Sequence, residues 1–215
     1  MTYAKICGLS DLSSLQAAVE GGAKFIGFVF YPKSARYVEV EQAKILARHV
    51  PTGIKSVGLF VDPTDEELDS IIPIVQLDMI QLHGSETAGR IAEIKEKYSL
   101  QIMKAIPISG EQDLKNIDAY EACADWLLFD TKTAEHGGSG QTFDWHILQN
   151  RDFKKPWMLA GGLSASNIQQ ALETLEPNVL DVSSGVEREK GVKDPEKIKE
   201  FLETLRLLDK HKQTG

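Results

Sequence analysis

Two reactive side chains close short apolar runs that lie far apart in the chain. Cys7 ends the run in KICG, and Asp130 ends the run in WLLFDT. A part-ionised cysteine can remove a proton from carbon, and a carboxyl group among apolar residues can keep a proton and donate it. Each residue also has a structural alternative, a small buried side chain for Cys7 and a loop cap for Asp130. Acid–base chemistry therefore requires a fold that brings the two together.

Two glycine-containing turns near the end of the chain predict an anion site. Gly161 and Gly162 lie in AGGL, and Ser184 and Gly185 lie in DVSSGVE. Glycines allow backbone N–H groups to approach a phosphate closely. Either turn alone would be ordinary, but both follow apolar runs, and together they predict that these four residues bind phosphate.

Two further side chains are placed to bind a ligand. Arg36 lies in YPKSARYV, and a guanidinium can hold a carboxylate through two parallel hydrogen bonds. A solvated surface arginine is the alternative. His83 follows an apolar run in QLHG, where it either binds substrate or is a hydrogen-bonded wall residue. From the residues alone, a surface arginine is the better explanation of Arg36 and a wall residue is at least as good an explanation of His83, so a substrate contact stays open for both.

Eight short apolar runs must position these residues, and amphipathic segments separate them. The runs are rich in β-branched and aromatic residues and are bounded by Gly, Pro, Asp and Ser, which is typical of strands. Eight strand–helix units in 215 residues favour a closed parallel (β/α)8 TIM barrel, with its active site at the C-terminal face of the strands. The predicted strands are Tyr3–Cys7, Phe25–Phe30, Lys55–Val61, Met79–His83, Gln101–Pro107, Trp126–Asp130, Trp157–Ala160 and Val179–Ser183.

Capping residues predict where several helices begin. Thr64 followed by Glu67 predicts a capping box, and Asp194 before a proline predicts another helix start. Ser10 is the expected cap of the first helix. Between the sixth and seventh strands, GGSG at 137–140 predicts a flap that closes over a ligand, with a plain flexible loop as the alternative.

The side-chain alternation of a strand assigns two charged residues to the barrel interior. Lys5 shares a face with Cys7, and Asp181 shares a face with Ser183. A lone buried charge would be too costly, so we expect Lys5 and Asp181 to form a polar layer below the active site as a pair. They are supporting residues for the two strand ends above them.

Composition limits the class of protein. The length suits one domain, with the barrel at 1–208 and a polar C-terminal tail at 209–215. A net charge of −8 argues against a general binder of nucleic acid or of an anionic membrane. The two cysteines, Cys7 and Cys123, lack metal-ligand spacing. The N-terminus resembles no signal peptide, and no apolar stretch is long enough to span a bilayer, so a cytoplasmic protein is expected.

The ordered segments together resemble phosphoribosylanthranilate isomerases, the Amadori-type isomerases of tryptophan biosynthesis. The resemblance runs from the first strand to the last helix and is thinner in the third to fifth helices. KICG together with SSGVE and GxKD is its most specific part. The segments are KICG, GFVFYPKSARYV, GLFVD, QLHG, LLFDT, GGSGQTFDW, LAGGL and DVSSGVEREKGVKDPEKI.

The resemblance implies a role for each site residue. Asp130 would protonate the furanose oxygen of N-(5-phosphoribosyl)anthranilate, and Cys7 would remove the C2′ proton, with Lys5 favouring its thiolate. Arg36 would hold the anthranilate carboxylate, and the glycine–serine turns would hold the phosphate. No metal or redox cofactor is implied, and the only partner is this phosphorylated small molecule. The sequence leaves a homodimer open, because the helix faces give no clear dimer signature.

Three alternatives stand beside this interpretation. The histidine-pathway isomerase of a related phosphoribosyl aminoaldose uses two aspartates and resembles two half-barrels, whereas this chain has Cys7 and no clear repeat. The lyase that closes the indole ring relies on lysine and glutamate at strand ends. A barrel without catalytic activity could bind a phosphorylated ligand, but the presence of both Cys7 and Asp130 argues against that.

Overall fold

A closed barrel of eight parallel strands forms the body of the protein. The computed structural model describes residues 1–132 and 142–214, without the side chains of 211–214. Each strand pairs with its neighbours in chain order, and β8 closes the barrel on β1. The predicted TIM barrel is confirmed, and every strand begins at its predicted residue. The strands are β1 (Tyr3–Cys7), β2 (Phe25–Val29), β3 (Lys55–Phe60), β4 (Met79–Leu82), β5 (Gln101–Ile108), β6 (Trp126–Thr131), β7 (Trp157–Leu159) and β8 (Val179–Val182).

Helices surround the barrel. Between β6 and β7 the described residues form only a short 3-10 helix, Trp145–Leu148, and GGSG at 137–140 lies outside the described residues. A two-stranded hairpin, β9 (Glu187–Glu189) and β10 (Val192–Lys193), follows β8. In the described part of the chain, no helix is both long and apolar enough to cross a membrane. The α-helices are α1 (Leu12–Glu20), α2 (Val40–Ala47), α3 (Asp65–Ile71), α4 (Ala88–Tyr98), α5 (Ile117–Cys123), α6 (Ile168–Thr174) and α7 (Pro195–Thr214).

Two helix starts lie where the sequence predicts them. At α3 the Glu67 N–H donates to the Thr64 hydroxyl at 3.2 Å, and the Thr64 N–H donates to the Glu67 carboxylate at 2.8 Å. This is the expected capping box. At α7 the Glu196 N–H donates to the Asp194 carboxylate at 3.0 Å.

The cap predicted for the first helix is wrong by one residue. Asp11, and not Ser10, caps α1: its carboxylate accepts the Ser14 N–H at 2.9 Å and the Ser14 hydroxyl at 2.8 Å. The physical reason is that a carboxylate at 11 satisfies two donors of the first turn at once. Ser10 precedes the helix.

The barrel interior is filled by the residues that alternation assigns to it. Leu128 of β6 belongs to an apolar interior cluster, and Asp130 follows two residues later on the same face. Because successive side chains of a strand alternate between faces, an inward Leu128 directs Asp130 into the upper barrel. The other members of the interior cluster are Phe25, Val57, Met79, Met103, Ala105, Met158, Ala160 and Val179.

The last helix extends into the segment predicted as a polar tail. α7 runs to Thr214, so most of 209–215 is helical. The Asp209 carboxylate is buried and accepts the Thr2 N–H, with both oxygens within 3.2 Å. This contact ties α7 to the chain just before β1, and the domain boundary at 208 stays a prediction.

Candidate active site

The C-terminal ends of the strands surround one cavity that collects most of the predicted site residues. Since each of these residues stands at a strand end or in the loop that follows it, closure of the barrel brings together positions that are far apart in the chain. The predicted residues that line the cavity are Cys7, Arg36, His83, Asp130, Gly161, Gly162, Asp181 and Ser184.

Cys7 lies above a buried ion pair. The Lys5 ammonium is 3.0 Å from both carboxylate oxygens of Asp181. Burial raises the pKa of the Cys7 thiol, and the charges of Lys5 and Lys193 oppose this without cancelling it. Lys5 therefore lowers the pKa of Cys7, as expected, but by less than the desolvation of a thiolate raises it. Cys7 is a thiol that becomes a strong base once it is ionised.

Asp130 is held from two sides. The Thr131 N–H donates to its Oδ1 at 2.8 Å, and His83 Nε2 lies 3.2 Å from its Oδ2. The ring of His83 is contacted in turn by Gln81, whose Nε2 lies 3.0 Å from Nδ1. The bond to the next backbone N–H is the local contact expected of a loop residue, but the contact with His83 connects β6 to the residue that follows β4.

Arg36 is buried, which excludes a solvated surface position. Its Nε and Nη2 donate to the two oxygens of Glu187 at 2.7 and 3.0 Å, in a bidentate ion pair. Lys193 Nζ lies 2.7 Å from Glu187 Oε1. Burial raises the pKa of Glu187, but the hydrogen bond from Arg36 and the charge of Lys193 outweigh it, so the pKa lies below its ordinary value. The guanidinium is thus fixed beside the cavity by an ionised carboxylate.

The turns after β7 and β8 pack against each other beside the cavity. Gly161 and Gly162 have φ values of +87° and +63°, which favour glycine. Gly185 does not line the cavity; a Cβ at this position would overlap the backbone carbonyl of Leu163. Gly185 therefore allows the two turns to meet, while Gly161, Gly162 and Ser184 face the ligand space.

Three residues of the site have no role in the predictions from sequence. The position of Gln81 could have been predicted from the sequence, because it lies two residues before His83 and therefore on the same face of the strand. Glu187 and Lys193 stand in the motif after β8, but the partner of Glu187 is Arg36, 151 residues away in the chain. No local pattern indicates such a pair.

Comparison with known proteins identifies the family. A family model described as N-(5'phosphoribosyl)anthranilate (PRA) isomerase matches residues 4–204. An N-(5'-phosphoribosyl)anthranilate isomerase of Paracoccus denitrificans (strain Pd 1222) is 47% identical over 202 residues, which cover 92% of this chain and 94% of the relative.

Solved structures agree with the sequence match. The crystal structure of phosphoribosyl anthranilate isomerase from Thermotoga maritima has a TM-score of 0.88 at 39% identity, over 96% of this chain and 99% of that one. A phosphoribosyl anthranilate isomerase in complex with reduced 1-(o-carboxyphenylamino)-1-deoxyribulose 5-phosphate has a TM-score of 0.85 at 35% identity, with the same coverage. The chain belongs to the phosphoribosylanthranilate isomerase family.

Proposed function

We propose that this chain isomerises N-(5'-phosphoribosyl)anthranilate to 1-(2-carboxyphenylamino)-1-deoxyribulose 5-phosphate in tryptophan biosynthesis. The observation that carries the assignment of roles is that Cys7 and Asp130 line the same cavity, together with the turns after β7 and β8. A relative with this barrel binds the reduced form of that product. The protein is an isomerase that acts on a small phosphorylated molecule.

Asp130 is the general acid of the first step. Its carboxyl group donates a proton to the furanose ring oxygen, the C1′–O bond breaks towards that oxygen, and the nitrogen lone pair forms a C1′=N iminium. The two donors around Asp130 support this role, because the Thr131 N–H and the His83 ring stabilise the carboxylate that remains.

Cys7 is the general base of the second step. Its thiolate removes the proton from C2′, and the released electron pair forms the C1′=C2′ bond and neutralises the iminium nitrogen. The resulting enolamine tautomerises to the ketone. Substrate and product contain the same atoms and electrons, so the reaction consumes no oxidant or reductant. The burial of Cys7 favours strong basicity over a large resting fraction of thiolate.

Other residues of the site bind the substrate. Gly161, Gly162 and Ser184 form the phosphate site through their backbone N–H groups, and Gly185 contributes by allowing the two turns to meet. A guanidinium carries five N–H donors, of which Glu187 engages two of Arg36, so others can bind the anthranilate carboxylate. His83 contacts the substrate from the wall beside Asp130.

The test is the decrease in anthranilate fluorescence as purified protein converts the substrate. We expect activity in the wild type and a loss of about 10²- to 10⁴-fold in Cys7→Ala and in Asp130→Asn, with an unchanged circular dichroism spectrum. Cys123→Ala is the matched control and retains full activity, since Cys123 lies on α5 away from the cavity. Substantial turnover by Cys7→Ala would remove Cys7 as the base.

Location and assembly complete the proposal. Both cysteines are free thiols, which supports a cytoplasmic location, because a reducing compartment keeps thiols unpaired. The homodimer that the sequence leaves open stays a prediction. Light scattering of the purified chain, with a mass of one barrel or of two, tests it.

A further inference from the structure

Gln81 is a fully buried polar side chain that the proposed reaction does not use. It lies on β4, two residues before His83, and its Nε2 is 3.0 Å from Nδ1 of the His83 ring. Its Oε1 has no hydrogen-bond partner among the described residues. An unpaired buried carbonyl is unfavourable, and most buried amides satisfy both ends.

The contact between Gln81 and His83 assigns the ring proton. In the structure the amide nitrogen of Gln81 faces the ring, and because an amide nitrogen only donates, this orientation makes Nδ1 of His83 an acceptor that carries no proton. The proton of the neutral ring is then on Nε2, which lies 3.2 Å from Asp130 Oδ2. The chain of bonds runs from the Gln81 amide to the His83 ring and from the ring N–H to the Asp130 carboxylate.

The opposite amide orientation would reverse every bond in this chain. Gln81 Oε1 would accept a hydrogen bond from a protonated Nδ1 of His83. The lone pair of Nε2 would then face the Asp130 carboxylate. Two acceptors would then oppose each other at 3.2 Å, between side chains that are only 11% and 10% exposed. The side-chain contact of Gln81 therefore decides whether His83 supports or repels the ionised form of Asp130.

We propose that Gln81 is a positioning residue for catalysis, which fixes the Nε2–H tautomer of His83 so that a ring N–H faces Asp130. This inference rests on the proposed function of Asp130 as general acid. Asp130 gives its proton to the substrate, and no proton passes through His83 or Gln81. The ring N–H holds the carboxylate in place and stabilises it as the proton leaves, which is the moment at which such a donor contributes to the rate.

The direct test is the ¹⁵N imidazole spectrum of His83 in the intact protein, assigned by the signals missing from His83→Asn. We expect an unprotonated Nδ1 and a protonated Nε2 in the wild type. In Gln81→Glu the new carboxylate accepts from the ring, so Nδ1 gains a proton. Gln81→Met has a side chain of similar length without a donor, so it removes the preference for the Nε2–H tautomer without adding a charge. This variant replaces Gln81→Glu in the test if Gln81→Glu does not fold.

Kinetics separate positioning from a merely structural role. We expect kcat to decrease about 10- to 100-fold in Gln81→Met, with KM within about twofold of the wild type. A protonated Nδ1 in the wild type, or an unchanged tautomer and kcat in both variants, would overturn the proposal. Wild-type protein without isomerase activity would contradict the proposed function instead, and the tautomer measurement would still stand by itself.

Discussion

The ammonium group of Lys5 lies 3.0 Å from both oxygens of the Asp181 carboxylate, which lines the cavity. The two residues are register partners in β1 and β8, the strands that close the barrel. Burial lowers the pKa of Lys5, but the charge and hydrogen bonds of Asp181 together with the contact with Cys7 outweigh it, so the pKa lies above its ordinary value and Lys5 is a cation. A charged layer therefore separates the apolar barrel interior from Cys7.

Removing one partner of this pair should be worse than removing both. Lys5→Met and Asp181→Leu each leave a buried charge without a counter-ion, so each should reduce the free energy of unfolding by about 3–5 kcal/mol. The double variant leaves no buried charge and should therefore be destabilised by less than either single variant. Urea unfolding at neutral pH measures all three. Arg206→Met, which breaks an exposed ion pair with Glu203, is the control and should leave stability nearly unchanged. Additive losses in the double variant would contradict the coupling.

Cys7 should react as a thiol of raised pKa. Burial is the main cause of the raised pKa, so the thiolate forms only above the ordinary cysteine value of about 8.5. The rate of alkylation by iodoacetamide in a Cys123→Ala background should therefore rise with pH, with its midpoint above that value. A midpoint below about 8 would show that the cations around Cys7 outweigh burial.

The same shift has a consequence for stability. Cys7 holds its proton more tightly in the folded chain than in the unfolded chain. Its contribution to the free energy of unfolding is therefore complete below about pH 8.5 and is lost as the pH rises through the folded pKa. Cys7→Ser, which does not ionise in this range, is the comparison, and the difference between the two proteins should diminish with rising pH.

Arg36 should act mainly on substrate binding. Arg36→Ala removes hydrogen bonds to a charged group, which contribute about 1.5–3 kcal/mol to binding. We therefore expect KM to rise about 10- to 100-fold, with a smaller change in kcat. Glu187→Gln keeps the shape of the residue that holds Arg36 but loses the charge, so a smaller rise in KM is expected. Steady-state kinetics measure both variants. An unchanged KM in Arg36→Ala would remove Arg36 from the binding site.

The sequence predicts the barrel well because strand alternation is local. The inward position of Leu128 determines that of Asp130, and the same rule places Lys5 with Cys7. It does not predict the pair of Arg36 with Glu187, because those residues meet only after the hairpin β9–β10 has folded back to the loop after β2. The cap of α1 is a local failure: Ser10 and Asp11 are both good caps, and Asp11 is the one used because its carboxylate accepts both the N–H and the hydroxyl of Ser14.

The turns after β7 and β8 provide the last prediction. A Cβ at Gly185 would overlap the carbonyl of Leu163, and backbone cannot move aside as a flexible side chain does. Gly185→Ala should therefore separate the two turns, weaken the binding of inorganic phosphate measured by calorimetry, and raise KM more than it lowers kcat.

Gly22→Ala is the matched control, because Gly22 has a φ of +89° but open space around it. The control should lose stability through backbone strain and should bind phosphate as the wild type does. If Gly185→Ala also bound phosphate normally, the contact between the turns would be irrelevant to the anion site, and the site would have to be assigned to Gly161, Gly162 and Ser184 without it.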